Sequence, residues 1–75
     1  MSESLDFLKR ELERWSGVEY GVEDVRPHPK LRIEYAGARR FLPFSSTRVD
    51  RRGLLNKVTE LRRLLRSMGA VRNHN

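Results

Sequence analysis

His28 is the residue in this sequence whose side chain is best suited to catalysis, because an imidazole can accept or donate a proton near neutral pH. Cationic side chains follow it at Lys30, Arg32 and Arg39. Preorganised cations of this kind stabilise the charge that develops on a phosphoryl group during transfer. His28 is therefore the candidate catalytic residue for proton transfer at a phosphate ester.

One other interpretation of His28 stays open, and the catalytic one needs a second residue. His28 stands between Pro27 and Pro29, so it could lie at an irregular strand entrance and bond only a backbone group. A phosphate-ester reaction without metal also needs both an acid and a base. Tyr20 and Tyr35 are the other nearby candidates for the second role.

Basic and acidic residues are segregated along the chain. Residues 1–25 carry three basic and seven acidic side chains, whereas residues 26–75 carry thirteen basic and three acidic ones. The formal charge of +6 therefore conceals a strongly basic C-terminal part. Thirteen of the sixteen basic residues are arginine, whose planar guanidinium matches the geometry of phosphate. We expect a polyanionic partner, nucleic acid ahead of a membrane surface.

The composition argues against several classes of protein. A chain of 75 residues makes a single domain, 1–75, with a small core. It has no cysteine, and His28 and His74 are too few and too far apart for a zinc motif, so we expect neither a metal nor a cofactor. No apolar stretch approaches the length of a membrane span, and no leader segment is evident. We expect a soluble, cytoplasmic protein that does not bind membranes.

Two apolar stripes predict helices near the ends of the chain. The first helix is expected over residues 4–16, with Ser4 as the N-cap and Gly17 at its end. The second is expected over residues 50–68, with Asp50 among the cap candidates, and residues 70–75 are expected to form a frayed tail. The stripes consist of Leu5, Leu8, Leu12 and Trp15 in the first helix and of Leu54, Val58, Leu61, Leu65 and Met68 in the second.

Alternating side chains predict three strands, over residues 18–26, 30–35 and 39–44. The second and third form a hairpin, whose register is open. A two-residue loop at Gly37 and Ala38, which we favour, places Leu42 with the apolar residues of the second strand. It leaves Lys30, Arg32, Arg39 and Phe41 together on the open face, whereas a three-residue loop would bury Phe41.

These elements predict an α+β fold of the order αβββα. Its three-stranded antiparallel sheet has both helices packed on one face. The other face is open to a partner. The candidate nucleic-acid-binding residues are Lys30, Arg32, Arg39, Arg40, Phe41, Arg52, Arg62, Arg63 and Arg66.

Three parts of the sequence together form a recognisable pattern: the run from His28 to Ile33, then Gly37, Arg39, Arg40 and Pro43, and later the segment Leu61 to Leu65 with Gly69. In these residues the chain resembles the HicA family of small mRNA-cleaving toxins. The resemblance implies a fold similar to a double-stranded-RNA-binding domain, an antitoxin as partner and a metal-free endoribonuclease activity through His28. Position by position, His28 alone matches the family's catalytic histidine. Arg26 and Pro27 stand where the family has glycine and a small polar residue.

An alternative function belongs to another class. Because the segment from Phe44 to Thr59 departs from the family's pattern, the chain is also reminiscent of small phage and prophage proteins. Such a protein would bind a host or virion protein without catalysing a reaction. The acidic first helix and the basic remainder could also drive homodimer formation.

Overall fold

The computed structural model describes residues 3–23, 29–44 and 50–73. In sequence order, one helix precedes three strands and a second helix follows them. The strands form one antiparallel sheet in the order β1-β2-β3. This is the predicted αβββα architecture. The elements are α1 (Glu3–Leu12), β1 (Glu19–Glu23), β2 (Lys30–Tyr35), β3 (Ala38–Pro43) and α2 (Arg51–Ser67).

One face of the sheet and both helices enclose a single core. Alternation along β2 points Leu31 and Ile33 toward the helices, and both side chains are fully buried. Leu8 of α1 and Leu61 of α2 are fully buried against the same cluster. The opposite face of the sheet has no helix over it in the described part of the chain, which leaves it open as predicted.

The β2–β3 hairpin has the predicted faces but a different register. Tyr35 pairs with Ala38, so the two loop residues are Ala36 and Gly37 instead of the predicted Gly37 and Ala38. Their φ angles are 51° and 83°, and positive φ at both central residues defines the type I′ turn that suits a two-residue hairpin. The shift of pairing is two residues, which conserves the side-chain faces and places Leu42 opposite Leu31.

Helix α2 begins where its cap was expected. The carboxylate of Asp50 accepts a 2.8 Å hydrogen bond from the backbone N–H of Gly53, which satisfies one of the free donors of the first turn. The other cap candidates, Ser45, Ser46 and Thr47, lie outside the described residues. The buried stripe of this helix consists of Leu54, Val58, Leu61 and Leu65.

The C-terminal segment packs onto the end of α1, whereas a frayed tail was expected over residues 70–75. α1 ends at Leu12, four residues earlier than predicted, so the backbone of residues 14–16 is free to pair. Trp15 forms a bridge with Arg72, and the N–H of Ser16 donates to the carbonyl of Val71 over 3.1 Å. Ala70 is buried. Residues 70–73 therefore belong to the fold.

None of the helices in the described part of the chain is long and apolar enough to cross a bilayer.

Candidate nucleic-acid interface

The open face of the sheet brings together four of the candidate residues. Residues that pair directly across antiparallel strands share a face, so Arg32 and Phe41 lie side by side, and Lys30 and Arg39 lie on the same face. The same rule places carboxylates among them, because Glu34 pairs with Arg39 and with Glu19 of β1, while Glu23 pairs with Lys30.

Ion pairs balance the charge of this open face. Nη1 of Arg32 lies 3.4 Å from Glu23, and its Nε lies 3.1 Å from Glu34. The second oxygen of Glu34 lies 3.4 Å from Nη2 of Arg39. Three cations and three carboxylates therefore share the open side of the strands, the third carboxylate being Glu19. The expected concentration of positive charge does not form among these strand residues.

Two candidates on β3, Phe41 and Arg40, have no carboxylate partner in the described part of the chain. Phe41 is 45% exposed, and Nζ of Lys30 lies 5.8 Å from the centre of its ring, within cation–π range. Arg40 pairs with Ile33, so it lies on the helix side of the sheet and not on the open face. It is exposed there and donates from Nη1 to the carbonyl of Arg39.

The solvent side of α2 carries a row of arginines without carboxylates. Arg52, Arg63 and Arg66 are spaced by eleven and three residues, so they fall on one side of the helix, opposite the buried stripe. All three are exposed, and none of them forms an ion pair within the described ranges of the chain. The row spans about 21 Å at the rise of an α-helix.

Arg62, the remaining candidate on α2, faces α1. Its Nη2 lies 3.1 Å from Oε1 of Glu11, and Nε of Arg72 lies 3.0 Å from the other oxygen. Trp15 also donates to that carboxylate, which is only 5% exposed. Burial raises the pKa of Glu11, but the hydrogen bonds from Arg62, Trp15 and Arg72 lower it by more, so the pKa lies below its ordinary value of 4.5.

A groove of about 290 Å³ runs between α1 and α2 above this carboxylate. Its charged lining consists of Arg10, Arg14, Arg62, Arg72 and Glu11, and its apolar lining of Phe7, Leu55 and Val58. Phe7 and Leu55 are 40% and 51% exposed. The outer surface of the helix pair is therefore both basic and partly apolar.

Three of the groove's arginines are not among the site residues predicted from the sequence. Arg10 and Arg14 are four residues apart, a spacing that could have marked them as one basic flank of the helix predicted over residues 4–16. Arg72 gave no such signal, because its place depends on the packing of a segment that was expected to fray. The candidate residues of α2 and these three arginines thus come together only in three dimensions.

Of the three residues in the catalytic hypothesis, the structure describes the two tyrosines but not His28. His28 lies outside the described residues. Tyr20 and Tyr35, the candidates for a second acid or base, are partly buried against the core on the helix side of the sheet. Within residues 3–23, 29–44 and 50–73, no three histidine, aspartate or glutamate side chains come together as metal ligands.

Comparisons with known proteins add no relative: no family model, curated protein or solved structure matches this chain.

Proposed function

We propose that this protein binds nucleic acid through the outer surface of its helix pair, with the arginines of α2 contacting phosphates. The observation that supports the proposal is the row of Arg52, Arg63 and Arg66, which are exposed and lack carboxylate partners in the described part of the chain. Unpaired guanidinium groups are free to form bidentate bonds with phosphate oxygens. RNA is the expected nucleic acid, as the resemblance to the HicA toxins implies.

The charge of α2 supports a polyanion over a neutral ligand. The helix has six basic residues and one acidic residue, Glu60, which pairs with Lys57 at 3.2 Å. Each phosphate that an arginine neutralises releases a condensed counterion, so the affinity must fall as salt rises. The open sheet face, where Arg32 and Arg39 already have carboxylate partners, would release fewer counterions.

The salt dependence of RNA binding tests this proposal. We expect the anisotropy of a labelled RNA to report binding at low salt. A plot of the logarithm of affinity against the logarithm of salt concentration should fall with a slope of about −2 to −3 if three arginines contact phosphates. An affinity no better than about millimolar at low salt, weaker even than typical non-specific binding, would remove nucleic acid from consideration.

Cleavage of the bound RNA is the enzymatic part of the proposal and depends on His28. The resemblance assigns this residue the role of proton acceptor or donor, while the binding surface on α2 needs no catalytic group. We expect the His28→Ala variant to bind RNA as the wild type does and to lose cleavage. Equal cleavage by both proteins would exclude His28, and absence of cleavage by the wild type would leave a binding protein only.

A further inference from the structure

The groove between α1 and α2 differs in charge from a depression beside the β2–β3 turn. That depression, of about 420 Å³, has Glu19, Glu34 and Arg39 as its charged lining. The groove between the helices instead has four arginines around one carboxylate. Of these two depressions, the groove is the one with an excess of positive charge.

The charged residues of the groove differ in whether they already have a partner. Glu11 at its floor is buried and already accepts hydrogen bonds from Arg62, Arg72 and Trp15. Arg10 and Arg14 are exposed and have no ion pair within the described ranges. Their guanidinium groups are therefore available to a ligand.

Phe7 gives the groove a flat apolar surface beside those cations. An exposed aromatic ring next to arginines is the combination with which proteins hold single-stranded nucleic acid, since the ring stacks a base and the cations hold its phosphate. A base within a duplex has its faces covered by its neighbours and cannot stack on a side chain. The groove thus favours an unpaired nucleotide.

We propose that the groove between α1 and α2 binds an unpaired nucleotide of a single-stranded RNA, with its base on Phe7 and its phosphate at Arg10 and Arg14. This inference rests on the proposed function and names the strandedness of its ligand. The arginine row of α2 would hold the flanking phosphates, because Arg62 and Leu55 connect the groove to that side of the helix.

An acidic peptide with apolar side chains is the rival occupant of the same groove. It would use the same cations and could cover Phe7 and Leu55. The arginine row favours RNA, because it adds a line of positive charge about 21 Å long on the side of α2 next to the groove. A repeating polyanion can neutralise both surfaces at once, whereas a short peptide within the groove would leave the row unpaired.

Matched phenylalanine variants test the inference. Phe7 and Phe41 are similarly exposed, at 40% and 45%, but Phe41 lies on the open sheet face. The Phe7→Leu variant removes the ring and keeps an apolar side chain, and Phe41→Leu is its control. We expect Phe7→Leu to weaken binding of a single-stranded RNA by about fivefold or more and to leave duplex binding unchanged. Phe41→Leu should change neither.

The possible outcomes separate a failure of the groove as the binding site from a failure of the proposed function. If Phe7→Leu binds single strands as tightly as the wild type, or if Phe41→Leu is the weakened variant, the groove is not the site, although the arginine row still can be. If the wild type binds no RNA, the proposed function fails as well. An acidic peptide that depends on Phe7 while RNA does not would also overturn the inference.

A measurement on the wild-type protein covers the case in which Phe7→Leu does not fold. Photo-crosslinking of a single-stranded RNA that contains 4-thiouridine, followed by mass spectrometry, identifies the residues beside its bases. We expect crosslinks in α1, at or next to Phe7. Crosslinks confined to the β-strands would overturn the inference.

Discussion

The indole Nε1–H of Trp15 donates a 2.8 Å hydrogen bond to Oε2 of Glu11, one helical turn earlier in the chain. The same carboxylate joins Arg62 of α2 and Arg72 of the C-terminal segment. One buried anion therefore connects three parts of the fold beneath the proposed RNA groove. It also keeps two of the groove's arginines in place.

Removal of the Glu11 charge should destabilise the fold. The Glu11→Gln variant leaves Arg62 and Arg72 without their counter-charge, and we expect the free energy of unfolding to fall by about 2 kcal/mol. Urea unfolding followed by the fluorescence of Trp15, the single tryptophan, measures this change. The exposed Glu13 provides the control as Glu13→Gln. Equal stability of the two variants would contradict the structural role of Glu11.

The Glu11 network should also make stability depend on pH. The pKa of Glu11 is lowered in the folded protein, so its contribution to stability is present above the ordinary pKa of 4.5 and is lost as pH falls through the lower folded value. We expect the difference in stability between the wild type and Glu11→Gln to be constant near neutral pH and to shrink below 4.5. A difference that does not change in acid would contradict this.

Glycine should be the favoured residue at both positions of the hairpin turn. Ala36 has a φ of 51°, a conformation that costs a residue with a Cβ about 1 kcal/mol, so Ala36→Gly should stabilise the protein. Gly37→Ala should destabilise it by a similar amount, and through backbone strain alone, because a Cβ there meets no atom within 4 Å. Urea unfolding of both variants measures the two effects. Destabilisation by Ala36→Gly would contradict the type I′ assignment.

The elements were predictable from the sequence because their patterns are local. Alternation of Leu31, Ile33 and Tyr35 set the bounds of β2, and the stripe of α2 with Asp50 set that helix to within one residue at each end. The hairpin faces followed from the same alternation. Its register did not, since a shift of two residues keeps every side chain on its face.

The electrostatics of the site could not be predicted because they depend on long-range contacts. Arg32 forms an ion pair with Glu23 on a neighbouring strand, and Glu11 forms one with Arg62, which lies fifty-one residues later in the chain. Neither partner is identifiable from sequence spacing. The basic surface therefore lies on the helices, although the sequence had favoured the open face of the sheet.

Two double variants test whether RNA binds to the arginines of α2 and not to those of the sheet. Arg63→Gln with Arg66→Gln removes two charges from the solvent side of α2, and Arg39→Gln with Arg40→Gln removes two exposed charges from β3. RNA affinity and its salt dependence are measured for both by fluorescence anisotropy. We expect the α2 variant to bind RNA more weakly, with a salt slope shallower by about 1.4 to 2, and the β3 variant to stay close to the wild type. Equal losses in both variants, or a larger loss in the β3 variant, would contradict this expectation.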